Sequence, residues 1–176
     1  VARHLTHLLN LEERGKFELG DALAMPFADA SFDGAYSMNV SMNIADKDRL
    51  YREMRRVLKP GGKLVFYDVF AGAGGPVHFP VPWPREPANS FLSYPQQIRN
   101  TLESAGFEIL TWRDTTETGR LWFRRLGDKI RTEGPPPLGI HLLFGPDFLE
   151  MAQNQVRNLE EDRIALVEAV VRRPFE

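Results

Sequence analysis

Residues 20–68 read GDALAMPFADASFDGAYSMNVSMNIADKDRLYREMRRVLKPGGKLVFYD, an ordered series of turn, strand and helix signals. Pro26, Asp29, Ser31 and Asp33 mark turns ahead of a small apolar strand over 34–38. DKDRLYREMRRVL then starts a helix with Asp46 as its N-cap and sets Leu50, Met54 and Leu58 at helical spacing. Pro60, Gly61 and Gly62 stop that helix. KLVFYDVF follows as a compact run whose Val65, Phe66 and Val69 suit a strand buried on both faces. Strand, helix and strand joined by tight turns make a parallel crossover, which is right-handed in nearly all folds. The chain is α/β.

Working outward, VARHLTHLLNLEERG puts Leu5, Leu8, Leu9 and Leu11 on a partial apolar stripe of a helix that Gly15 ends. KFELGDA puts Phe17 and Leu19 on one face of a short strand that breaks at Gly20 and Asp21, and the loop at a strand's carboxyl end is where open α/β sheets bind ligands. Residues 71–95 are crowded with Gly and Pro yet carry Phe79, Trp83, Phe91 and Tyr94. A long aromatic loop without a period reads as a lid rather than a linker. A helix over 94–105, with Ile98 and Leu102 inward, ends at Gly106, and FEILTW is a strand. A helical region over 116–131 presents Arg120, Arg124, Arg125, Lys129 and Arg131 as a solvated face, and Pro135, Pro136 and Pro137 break it. A helix over 146–159 and a last strand, RIALVEAVVRR, close the order. One domain covers 1–176, with 71–95 and 114–160 as lid-like insertions on the substrate side.

Composition narrows the function classes. The 176 residues are 43% hydrophobic and 26% charged, which suits one globular domain. Lys and Arg number 22 against 24 Asp and Glu, a net charge of −2, so no overall basic field draws nucleic acid. Cysteine is absent, which removes disulfides, thiolate metal sites and cysteine nucleophiles together. No apolar run reaches the roughly 18 residues that span a bilayer, and a cytoplasmic location is expected. HExxH, GxxxxGK[ST], GxSxG and EF-hand patterns are all missing, and four dispersed histidines propose no metal site.

GDA, then PF, then SFD, then a short strand, then VLKPGG and a hydrophobic strand resembles the class I S-adenosylmethionine-dependent methyltransferases, in their ubiquinone/menaquinone-methyltransferase-like branch. The resemblance covers residues 14–70, with LKPGG after an amphipathic helix as its most diagnostic piece. It implies a Rossmann-like, mostly parallel sheet with an antiparallel last strand, S-adenosyl-L-methionine as cofactor, and methyl transfer to a small-molecule acceptor.

The resemblance also assigns residues. Asp21 would accept from the adenine amino group, a sensible match because a carboxylate only accepts and adenine offers a donor. Ala22 and Leu23 would meet the same ring. Ser37, Met38 and Asn39, at the end of the next strand, would lie beside the methionine portion. Because the sulfonium is already activated, catalysis is mostly positioning and desolvation. Asn39 and His78 are the candidate catalytic residues, with Asp68, Tyr67 and His141 as weaker candidates for a base. Phe70, Phe79, Trp83 and Tyr94 suit an aromatic-walled pocket or core packing under a loop.

The family's opening strand, its GxG turn and a second acidic strand end have no counterpart before Asp21. GAGG at 72–75 follows the wrong strand and precedes Pro76 rather than opening a helix, so it is not the cofactor loop. An N-terminally truncated methyltransferase fold is therefore expected, with the edge of the 34–38 strand open unless another segment or a second copy covers it. Methyl transfer by this chain alone is expected to be impaired or absent. The alternative is a non-catalytic α/β remnant or interaction module that does not bind the cofactor by itself.

Overall fold

The computed structural model describes residues 1–134 and 136–175. Four strands form one sheet in the order β1-β2-β4-β3: β1 (Phe32–Met38), β2 (Leu58–Ala71), β3 (Glu108–Asp114) and β4 (Ile164–Arg172). β1 pairs with β2 in parallel, whereas β4 runs antiparallel between β2 and β3. The expected antiparallel last strand is thus present, inserted inside the sheet rather than at its edge.

α2 (Lys47–Val57) returns the chain from β1 to β2, and Asp46 caps it by accepting from the Arg49 N–H at 2.9 Å. Leu50, Tyr51, Met54 and Val57 are buried, one stripe at helical spacing. α3 (Pro95–Ser104) lies on the same face and buries Ile98 and Leu102. Beneath them Leu64, Phe66 and Phe70 alternate along β2, and Val167, Ala169 and Val171 continue the layer on β4. The other face carries a smaller cluster of Met42, Val69, Leu159, Ile164 and Leu166, covered by α6 (Phe148–Glu160) and by Phe123 of α4 (Thr116–Glu133). α1 (Ala2–Leu8) buries nothing, and α5 (His141–Phe144) is a single turn before α6. No helix among the described residues is long and apolar enough to cross a membrane.

Five sequence expectations need correction. α1 ends at Leu8, with Asn10 in the left-handed region, not at Gly15. Phe17 and Leu19 form no strand: a strand is a paired state, no neighbour pairs with them, and Arg3 takes the Phe17 carbonyl instead. LKPGG lies inside β2, because Leu58 enters the strand directly and the register against β1 slips between Phe32 and Gly34. Val65 is 46% exposed, since the second face is not covered at its level. Arg120 is no solvated residue: its guanidinium donates to the Leu159 carbonyl at 3.0 and 2.7 Å and pairs with Asp162, closing the C-terminus of α6. α4 ends at Glu133, just before the break expected at Pro135, Pro136 and Pro137, of which Pro135 falls outside the described residues.

Candidate functional site

The carboxyl ends of β1 and β2 point the same way, and three segments gather there. The first is the turn at Asp21, whose Oδ1 accepts from the Leu23 N–H at 2.9 Å and closes an Asx turn. From that turn the chain descends beside α2, pinned level by level. The Leu23 carbonyl accepts from Arg49, the Met25 N–H donates to Glu53, the Phe27 carbonyl accepts from Arg56, and the Ser31 N–H donates to the Val57 carbonyl. Since α2 runs down from the carboxyl end, this ladder holds Asp21 at the top, the end where β1 finishes. Asp21 is exposed, while Ala22 and Leu23 are half-buried against the core.

The second segment is the exit from β1. Ser37 is buried, Met38 is 61% exposed, and Asn39 is exposed with φ 54°, turning the chain while its N–H donates to the Tyr67 carbonyl at 2.9 Å. A short 3-10 turn, Ser41–Asn43, follows.

Beneath that turn lies Asp68, one of the weaker candidates for a base. Asp68, 1% exposed, accepts from the Ser41 N–H at 2.9 Å. It occupies an inward position of β2 between Phe66 and Phe70, and β2 continues to Ala71, so it is not a strand-end base. Burial raises its pKa, and Ser41 opposes the rise. Tyr51, also buried, has its hydroxyl pushed far above the usual range by the same desolvation.

The third segment, residues 72–94, is a packed strap. Gly72 and Gly74 donate to the Arg163 and Asp162 carbonyls at 2.9 and 2.8 Å, so GAGG seats against the turn between α6 and β4. Asn158, fully buried, accepts from the His78 N–H at 2.8 Å and donates to the His78 carbonyl at 3.0 Å. Asn154 donates to the Pro80 carbonyl at 3.0 Å. The His78 ring meets Glu161 at 2.9 Å, so its imidazole stands on the α6 side of the strap while Asn39 stands at the end of β1. Phe70 is a core residue, 1% exposed against Trp112; Trp83 is half-buried with its N–H on Ser90 Oγ, and Tyr94 is exposed.

Glu161 joins strap to scaffold, and Arg157 first, then His78 and Arg163, hold its carboxyl down to about 2 from an ordinary 4.5. A depressed carboxyl stabilises the fold above its unfolded value and loses that effect as pH falls. Urea midpoints of the wild type should therefore exceed those of Glu161→Gln at neutral pH, with the gap closing between pH 4.5 and about 2. A gap independent of pH across that window would assign the effect to packing instead.

Sequence reasoning missed Lys47, Asn158 and Glu161. Lys47 alone left a local signal, because a cation in the first turn of a helix opposes the helix dipole.

Residues 2–66 match the family described as a methyltransferase domain. Solved structures extend the likeness over nearly the whole chain. The [4+2]-cyclase SpnF superposes with a TM-score of 0.73 at 27% identity, covering 99% of this chain and 62% of that one. Geranyl diphosphate C-methyltransferase from Streptomyces coelicolor A3(2) gives 0.72 at 14%, covering 97% and 56%. The fold is that of the class I S-adenosylmethionine-dependent methyltransferases.

Among curated methyltransferases, GfsG of Streptomyces halstedii is 42% identical over 69 residues, 39% of this chain and 25% of that protein. 24-Methylenesterol C-methyltransferase 2 of Oryza sativa subsp. japonica is 33% identical over 132 residues, 71% of this chain and 36% of that protein. The chain spans only a quarter to about two fifths of the first curated methyltransferases it matches.

Proposed function

We propose that the chain supplies part of the site of an S-adenosylmethionine-dependent methyltransferase, of the ubiquinone/menaquinone-like branch, acting on a small-molecule acceptor. The observation that carries this reading is the ladder along α2, which pins the segment after Asp21 with its Asp21 end toward the start of that helix, the end that follows β1. The residues fit the cofactor on that side. Asp21 keeps one carboxylate oxygen outside its Asx turn for the adenine amino group, and Ala22 and Leu23 offer an apolar edge. Ser37, Met38 and Asn39 border the methionine portion, the last through a backbone already turned at positive φ.

When bound, the cofactor supplies an activated methyl group on sulfur. The chain's part is to bind, orient and exclude water, with Asn39 orienting a polar acceptor and His78 in the strap as the candidate base. Contacts from the adenine side and one strand end hold the cofactor weakly, so the chain alone is impaired. The outer edge of β1, unpaired among the described residues, is where another segment or a second copy would add a strand. The likeness to a [4+2]-cyclase supports a second reading, in which the same site shelters a reaction other than methyl transfer.

Ligand-observed NMR with S-adenosylmethionine tests the first reading. Asp21→Ala should weaken binding about tenfold, the loss of one hydrogen bond to a charged acceptor. Unchanged affinity would remove Asp21 from the site. Binding without transfer of labelled methyl to sterol, phenol and amine acceptors would favour the second reading.

A further inference from the structure

The chain borders the carboxyl end of the sheet on two sides, at the Ser41–Asn43 turn after β1 and at the strap after β2. One side chain joins them. Lys47 Nζ donates to the Ser41 carbonyl at 2.6 Å and to the Ile44 carbonyl on one side, and to the Phe91 carbonyl at 2.7 Å on the other. The Phe91 N–H donates to the Met42 carbonyl at 2.9 Å. Both polar backbone groups of Phe91 are thereby held, one by the turn and one by the ammonium. The earlier part of the strap is anchored to a different body, α6 and the start of β4, through Asn158, Asn154 and Arg163, and its end returns to β2, where the Ala71 N–H donates to the Ser93 carbonyl at 3.0 Å. A lysine is a poor choice for the first turn of α2 on dipole grounds, so the three carbonyls, not the helix, account for it.

We propose that Lys47 is a positioning residue for this site: its ammonium clasps residues 88–93 of the strap to the turn after β1, and the two walls part when its hydrogen bonds are removed. The proposal rests on reading this end of the sheet as the substrate site, but the clasp is testable without any ligand.

The groups around Lys47 define its pH behaviour. From β2 the Asp68 carboxyl faces it, and Tyr51 lies one turn along its own helix; from the turn and the strap only carbonyl oxygens reach it among the described residues. Burial lowers the ammonium to about 8 from 10.5, with Asp68 opposing. Tyr51, shifted upward, keeps its proton through that range. A depressed lysine deprotonates first in the folded state, so from pH 8 to 10.5 the unfolded chain binds the extra proton and linkage raises global stability with pH. The same linkage holds for any opening that returns Lys47 to water: such an opening takes up a proton and is opposed as pH rises, so substitution rather than pH releases the clasp.

Hydrogen exchange of the whole chain, expressed as protection relative to intrinsic rates, reads this at about pH 7. Protection over 88–93 should be about tenfold lower in Lys47→Met than in the wild type. Lys47→Arg, charged throughout, should keep it. Protection over 72–74 and in β4 should not change in any of the three. Lys47→Met protecting 88–93 as the wild type does would overturn the proposal, as would losses spread equally to 72–74 and β4. Intact protection beside absent cofactor binding would sink the functional reading and leave the clasp standing.

Discussion

Gly74→Ala should destabilise the chain by about 3 kcal/mol, at the upper end of what overpacking costs. An added Cβ would stand 1.7 Å from the Glu161 carbonyl oxygen, and one at Gly72 would stand 2.0 Å from that of Asp162. Those oxygens belong to the backbone between α6 and β4, where Asp162 already holds φ 53°, so neither can swing aside as a side chain would. The strap must lift, and with it the hydrogen bonds from Gly72 and Gly74 and the Asn158 pair on His78. Gly127→Ala provides the opposite sign. It lies inside α4 with nothing within 4 Å of the new methyl, so alanine's helix preference should stabilise by roughly 0.5–1 kcal/mol. Urea unfolding of both variants checks this, and a neutral Gly74→Ala would mean the strap is not seated as described.

This close approach also explains the GAGG stretch, which its place in the sequence rules out as the cofactor loop. Its glycines let two backbones touch rather than admit a ligand. Position after the wrong strand was enough to reject the cofactor role, but the true partner was out of reach, because α6 and β4 follow some ninety residues later. Separations of 80 and 44 residues likewise hid the partners of Asn158 and Lys47, which are His78 and Phe91.

What was legible was local. α2 could be read because its cap and its apolar stripe lie within one short window, and β4 because a run of Ile, Leu and Val needs no partner to be recognised. Phe17 and Leu19 failed for the complementary reason: alternation suggests a strand, but pairing makes one. Asp68 sits between these cases. A carboxylate on the inward register of an apolar strand signals a buried partner, though not that the partner is the Ser41 backbone.

The inward register of β2 also sets the second large effect. Phe66→Ala should cost about 4 kcal/mol, within the range for truncating a buried aromatic. Phe66 is 2% exposed at the centre of the larger core cluster, with Trp112 edge-on at 5.9 Å, Phe70 at 6.4 Å and Tyr51 at 6.3 Å. The vacated space is bounded by α2 and α3 above and by β4 and β3 beside it, so collapse from any one side is limited. That loss is a large share of the roughly 5–15 kcal/mol that holds a typical domain together. Val65→Ala, one residue away but half-open on the other face, should cost under about 1 kcal/mol. The pair tests the register directly: if β2 were shifted by one residue, the two penalties would exchange places. Asp68 would then leave the core, and the turn after β1 would lose the carboxylate that accepts from Ser41.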